Sequence, residues 1–223
     1  MAAVPPTLPV ALVFDFDGLI VDTEWPEYRA IADIFDEHGL MFPPQRWVQV
    51  IGSSWDVDWV SQLEAGLGRR VDREAMQAQR RDRARGWRDP LVLLPGVAAL
   101  IEAATTAGIG LAVASSSPRS WVEPHLENLG LMSRFAFTRC RDDVAEAKPS
   151  PDLYLAACAG LGVDPAWAVA LEDSGHGVTA ANAAGMVSVA VPNRLTRYLD
   201  LSHADLVVDT MVDVDLERLA GLF

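Results

Sequence analysis

The chain is expected to fold as a doubly wound α/β protein. Three observations carry this: short apolar runs recur along it, segments with helical spacing separate them, and glycines stand where those helices would end. The runs, β-branched or alanine-rich, cover residues 10–16, 110–115, 135–138, 168–171 and 187–191, as expected for strands of a sheet buried on both faces. Helical spacing covers 97–106, opened by Pro95-Gly96, then 118–128, 151–159 and 178–184. Gly108, Gly130, Gly162 and Gly185 follow these helices at the positions of C-terminal caps. Strand alternating with helix implies right-handed crossovers and a parallel sheet. The alternation breaks between residues 25 and 90, where only helical patterns occur, such as Ala30, Ile31, Ile34 and Phe35 and an arginine-rich stretch over 69–88. This reads as a helical insert, residues 24–90, in an α/β core made of 1–23 and 91–223. Five of the seven tryptophans (Trp25, Trp47, Trp55, Trp59 and Trp87) fall in the insert, most of them expected in its own core and one or two placed to face a ligand in the cleft between the domains. Its Arg80, Arg81, Arg83 and Arg85 read as a solvated helix face.

At 223 residues, half of them hydrophobic, the chain is long enough for one large domain or a domain with an insert. Pro5, Pro6 and Pro9 suggest a short loose lead. No apolar run approaches the roughly 20 residues that cross a bilayer, and MAAVPPTLPV lacks the positive flank of a signal peptide, so a cytoplasmic protein with no membrane partner is expected. Cys140 and Cys158 form no metal-binding or redox spacing and read as two buried thiols. The formal charge of -13 would repel a phosphate backbone, which argues against nucleic acid as a partner, and a monomer is expected. An anionic substrate would need local positive charge, and the chain contains seventeen arginines but a single lysine, Lys148.

Chemistry-bearing residues gather where the expected strands end, the place at which ligands collect in open α/β sheets. The first run delivers Asp15 and Asp17, the second Ser115, Ser116 and Ser117, the loop after the third Lys148, and the fourth Glu172 and Asp173. Ionised groups without partners are costly to bury, so the acids imply a cation, and carboxylates from two strands suit Mg²⁺. Asp15 and Asp17 are two apart, so on extended chain both point to one side, and Gly18 then lets the backbone turn. One carboxylate can attack while the other handles protons. Each cluster also has a bland explanation: a turn for DFDG, a helix cap for Ser117 before Pro118, a surface loop for Lys148, and an acidic helix start for Glu172-Asp173. Four coincidences at four successive strand ends are improbable.

The motifs VFDFDGLIVDTE, LAVASSS, EAKPSPDLY and LEDSGHGVTAANAAGM, in that order over nearly the whole chain, resemble the haloacid dehalogenase superfamily, in its β-phosphoglucomutase-like sugar phosphatase subgroup. The resemblance implies a Rossmann-like core with a helical cap inserted after the first motif. It implies that Asp15 is the nucleophile of an aspartyl-phosphate phosphatase, that Asp17 is the general acid and base, and that Ser115 and Lys148 hold the phosphoryl oxygens. It further implies Mg²⁺ on the Asp15 side chain, the Asp17 backbone carbonyl and Asp173, with Glu172 a direct or indirect ligand. Gly18, Ser116, Glu27 and Trp55 are the expected substrate contacts.

Within the superfamily, dehalogenases lack the equivalent of Asp17, and phosphonate-cleaving members place in the cap a lysine that this insert does not contain. Phosphomutases of the subgroup carry a cap histidine and arginine where this chain has Glu27 and Trp55. Hydrolysis of a small phosphorylated metabolite, plausibly a sugar phosphate, is therefore expected ahead of mutase activity. A phospho-accepting receiver module is much shorter and has no insert. An EF-hand fails on spacing, because DFDGLIVDTE has its glycine fourth and not sixth. A DxD glycosyltransferase leaves KPSP and LEDSG unexplained.

Overall fold

The computed structural model of the chain describes residues 7–52, 57–88 and 91–223. Pro5, Pro6, Trp55 and the side chain of Trp87 lie outside the described residues. Six parallel strands form one sheet: β1 (Ala11–Phe14), β2 (Gly110–Ala114), β3 (Phe137–Arg139), β4 (Ala168–Glu172), β5 (Val187–Ala190) and β6 (Leu206–Val207), in the order β3-β2-β1-β4-β5-β6. The fold is Rossmann-like, with β1 central and the chain switching direction between β1 and β4. Between β1 and β2 come α1 (Glu24–Glu37), α2 (Pro44–Trp47), α3 (Trp59–Leu67), α4 (Arg73–Arg88) and α5 (Val97–Thr106). The remaining helices are α6 (Arg119–Asn128), α7 (Asp152–Leu161), α8 (Gly175–Ala183) and α9 (Leu216–Ala220).

The period of two in the strands sorts the core by size. Leu12, Phe14, Leu111, Val113, Val169 and Leu171 point to one face, where α5, α6 and α9 bring Leu100, Ile101, Leu126 and Leu219. Ala11, Val13, Ala112, Ala114, Ala168 and Ala170 point to the other, where α7 and α8 pack with Tyr154, Ala157 and Ala180. Small strand residues let these two helices approach the sheet closely. Fully burying a side chain such as Phe14 contributes roughly 1.5–3 kcal/mol.

The helices α1 to α4 bury a cluster of their own that includes Ile31, Ile34, Phe35, Phe42, Trp47 and Trp59. Here one sequence expectation needs correction. Only part of the arginine-rich face of α4 is solvated: Arg83 pairs with Glu37 at 2.6 Å and Arg80 with Glu27 at 3.6 Å, tying α4 to α1. Arg81 and Arg85 are exposed. Both cysteines are buried and free. Among the described residues no helix is long and apolar enough to cross a membrane.

Candidate active site

The strand switch beside β1 opens a crevice at the carboxyl ends of β1, β2 and β4. Phe16 turns fully into the core, while Asp15 and Asp17 on either side of it both line a cavity of about 350 Å³. Thr23, Glu24, Glu27, Trp47 and Gly52 line it from the segment after β1; Ser115, Ser116, Ser117, Pro118 and Trp121 line it from the β2–α6 segment.

Beneath the cavity lies a buried ionic cluster. Lys148, only 2% exposed, donates from Nζ to Asp15 Oδ1 at 2.5 Å and to Glu172 Oε1 at 2.6 Å. Tyr154 donates to the same Glu172 oxygen at 2.6 Å, and Glu172 Oε2 accepts from the backbone amides of Asp173 and Ser174 and from the Ser174 hydroxyl. Both Glu172 oxygens are therefore committed. Gly177 is required beneath them, since a Cβ there would stand 1.9 Å from the Glu172 carboxylate. Asp173, wholly buried, accepts from Asn193 Nδ2 through Oδ2 at 2.7 Å, and its Oδ1 is buried with no hydrogen-bond partner among the described residues. Gly18, with φ +79°, allows this approach: a Cβ would lie 2.3 Å from Asp173 Oδ2.

The electrostatics follow from this crowding. Burial, reinforced by Glu172 and opposed by Lys148, pushes the Asp15 carboxyl up to about 7. Burial and the charges of Asp15 and Glu172 hold Asp173 well above the usual carboxylate range. Burial works against the Lys148 ammonium, but Asp15 and Glu172 outweigh it and hold its pKa above the ordinary value. Burial, and then the charge of Asp17, push Glu24 up to about 8. One oxygen from each of Asp15, Glu172 and Asp173 lies within 4.8 Å of the others. With both Glu172 oxygens engaged, the orphaned Asp173 Oδ1 and the neighbouring Asp15 carboxylate are the oxygen donors there that fit a hard divalent cation.

Asp17 is held from four directions. Thr23 Oγ1 and Trp121 Nε1 donate to its Oδ1 at 2.8 and 2.9 Å; Ser117 Oγ and Ser115 Oγ donate to its Oδ2 at 2.6 and 3.4 Å. The Trp121 ring in turn packs at a tilt against His125, with ring centroids 4.1 Å apart. The reading of Ser117 as a helix cap is thereby corrected: Pro118 stands at the N-cap of α6, and the Ser117 hydroxyl goes to Asp17. Ser174, in contrast, does cap α8, accepting from the Gly177 amide at 3.1 Å. Ser116 donates to the Gly52 carbonyl at 3.1 Å, so the β2 loop is tied to the helical segment.

Of the residues singled out in the sequence, Asp15, Asp17, Glu27, Ser115 and Ser116 line the cavity, Lys148, Glu172 and Asp173 lie beneath it, and Gly18 abuts Asp173. Trp55 is outside the described residues. Thr23, Glu24, Trp47, Trp121, Asn193 and Tyr154 were not singled out for the site. Thr23 and Glu24 sit inside VFDFDGLIVDTE and Tyr154 closes EAKPSPDLY, the motifs that could have found them; Trp47 had only its place among the insert's tryptophans, and Trp121 and Asn193 carry no signal.

The haloacid dehalogenase-like hydrolase family matches residues 12–191. The chain is 41% identical to YhcW of Bacillus subtilis, a protein named as a phosphatase, over 94% of this chain and 95% of that one. Its fold is similar to that of CbbY from Rhodobacter sphaeroides, solved in complex with xylulose 1,5-bisphosphate, with a TM-score of 0.70 and 27% identity over 92% and 96% of the two chains. It is equally similar to β-phosphoglucomutase from Clostridium difficile, with a TM-score of 0.71 and 25% identity over 96% and 97%.

Proposed function

The chain belongs to the haloacid dehalogenase-like hydrolase family and is a phosphoric monoester hydrolase, and from that premise we propose a Mg²⁺-dependent phosphatase that uses Asp15 as nucleophile on a small phosphorylated metabolite of the sugar phosphate kind. The observation that carries the proposal is the buried Asp15–Lys148–Glu172 cluster lying under a cavity that Asp17 also lines.

The proposed chemistry balances in two steps. An Asp15 carboxylate oxygen attacks phosphorus, the P–O bond to the alcohol breaks, and Asp17 delivers a proton to the departing oxygen. Asp17 then takes a proton from water, which attacks the aspartyl-phosphate, releasing inorganic phosphate and restoring Asp15. Lys148 and the Ser115 hydroxyl bind equatorial phosphoryl oxygens, and Trp121, Thr23 and Ser117 orient Asp17. The Asp15 and Asp173 carboxylates and the Asp17 backbone carbonyl would hold Mg²⁺, which when bound supplies positive charge against the phosphoryl oxygens. Glu172, with both oxygens committed, positions Lys148 and is not assigned to the ion.

Residues 24–90 are proposed to act as a cap on a core of 1–23 and 91–223, closing over substrate to exclude water. Glu24, Glu27, Trp47 and Gly52 already face the same cavity as Asp15 and Asp17, which supports this. Phosphomutase activity is the second reading, favoured by the likeness to a β-phosphoglucomutase. Hydrolysis ranks above it because Glu27 occupies the place where the resemblance expects a histidine. The test is phosphate release from a panel of metabolite phosphates with and without Mg²⁺. Release is expected only with Mg²⁺ and is expected to fall to background in Asp15→Asn; a wild-type rate in that variant overturns the assignment.

A further inference from the structure

The part of the substrate that is not the phosphoryl group must sit against Glu24, Glu27, Trp47 and Trp121. Two carboxyls and two indoles form this wall, and among the described residues lining the cavity there is no lysine, arginine or histidine. Arg80, beside the wall, pairs with Glu27 Oε2 at 3.6 Å. A second phosphate or a carboxylate on the substrate would lose its water here and find no cationic partner among the described lining residues. Hydroxyl groups, in contrast, find acceptors in the carboxyl oxygens, and the C–H faces of a sugar or polyol find the flat indoles. Both indoles are fixed by their edges, Trp47 Nε1 donating to Glu24 Oε2 at 2.9 Å and Trp121 Nε1 to Asp17 Oδ1 at 2.9 Å. At about 350 Å³ the cavity lies near the lower end of small-molecule pockets, enough for a phosphate and one sugar-sized group.

We infer that the alcohol released by this enzyme is a neutral polyhydroxy compound of single-sugar size that carried only the one phosphate; the inference rests on the phosphatase reading above. It separates this chain from enzymes that hold a bisphosphate or a phosphorylated acid, whatever their similarity in fold.

The experiment compares matched six-carbon esters with the full chain and Mg²⁺: glucose 6-phosphate and sorbitol 6-phosphate as neutral esters, 6-phosphogluconate for an added carboxylate, fructose 1,6-bisphosphate for a second phosphate, and glucosamine 6-phosphate for an added ammonium. The neutral esters are expected to exceed every charged one by at least tenfold in kcat/KM. Equal or faster turnover of any charged ester overturns the inference. Calorimetric binding of the same esters to Asp15→Asn with Mg²⁺ asks the question without turnover: the same order is expected, and tighter binding of a charged ester overturns the inference. Turnover of none of them, with that binding order preserved, counts against the phosphatase reading alone; binding of none overturns both. Finally, Glu27→Lys supplies the missing cation and is expected to raise the bisphosphate-to-glucose 6-phosphate ratio of kcat/KM at least tenfold. An unchanged ratio removes the wall as its cause.

Discussion

Replacing Lys148 by methionine keeps the length of the side chain but withdraws the ammonium that lies 2.5 Å from Asp15, 2.6 Å from Glu172 and 5.0 Å from the centre of the Tyr154 ring. Two buried carboxylates then face each other without compensation. Removing one partner of a buried, hydrogen-bonded ion pair costs roughly 3–5 kcal/mol. At this chain length each kcal/mol moves the melting temperature by about 2–4 °C, so Lys148→Met is expected to lower Tm by on the order of 10 °C near pH 8 in EDTA. The sign of the pH dependence is fixed. Loss of the ammonium removes the charge that opposes burial at Asp15, so the Asp15 carboxyl moves further above the ordinary carboxylate value. The penalty is therefore greatest above the folded-state pKa of Asp15, and it shrinks as the pH falls from there toward 4, where the acid binds its proton in both states. Thermal and urea unfolding of wild type and variant at about pH 8 and pH 5 measure it. A variant that melts with wild type at pH 8, or a deficit as large at pH 5, would refute the reading of this cluster as a compensated ionic core.

Two further predictions concern the cavity wall. Trp121→Phe keeps an aromatic ring against His125 but removes the indole donor to Asp17; a hydrogen bond to a carboxylate is worth about 1.5–3 kcal/mol, so kcat is expected to fall roughly 10- to 100-fold with KM little changed, and steady-state kinetics showing the loss in KM instead would count against a positioning role. Glu24, raised in the folded protein from an ordinary 4.5 to about 8, contributes stability that is intact below about pH 4.5 and is lost as the pH rises through about 8. In Glu24→Gln that loss is absent, so the Tm of the variant relative to wild type is expected to rise between about pH 5 and pH 9; a flat or falling difference contradicts it.

The main architecture is legible in the sequence because both faces of the sheet are covered, which makes β1, β2, β4 and β5 largely apolar runs, and because each helix from α5 to α8 buries one stripe; the edge strand β3, Phe137-Thr138-Arg139, shows only the end of its expected run. The helix over Val97–Thr106 coincides with its expected span, its start marked by Pro95-Gly96 and its end by Gly108. Two elements are not legible. β6 is two residues long and α9 five, too short for any period to rise above chance. At the site, the carboxylates and Lys148 are legible because charge at the end of an apolar run is conspicuous. The bond from Ser117 to Asp17 is not legible because a serine before a proline has a sufficient local use as a helix cap, and only the fold brings Asp17 within its reach. Trp121 and Asn193 carry no local oddity at all. Their roles come from loops that meet across the switch between β1 and β4, a relation that spacing along the chain does not encode.

The central position of β1 also bears on how the chain is made. Ala11 pairs with Gly110 on one side and Ala168 on the other, so the first strand to leave the ribosome stays unpartnered on at least one edge until the residues around Ala168 have been synthesised. At about 5–20 residues per second that interval is roughly ten to thirty seconds, during which the four apolar residues of Ala11–Phe14 have no completed sheet to join. Birth order and assembly order are opposed, and the residues that carry the reaction lie next to the strand that waits longest.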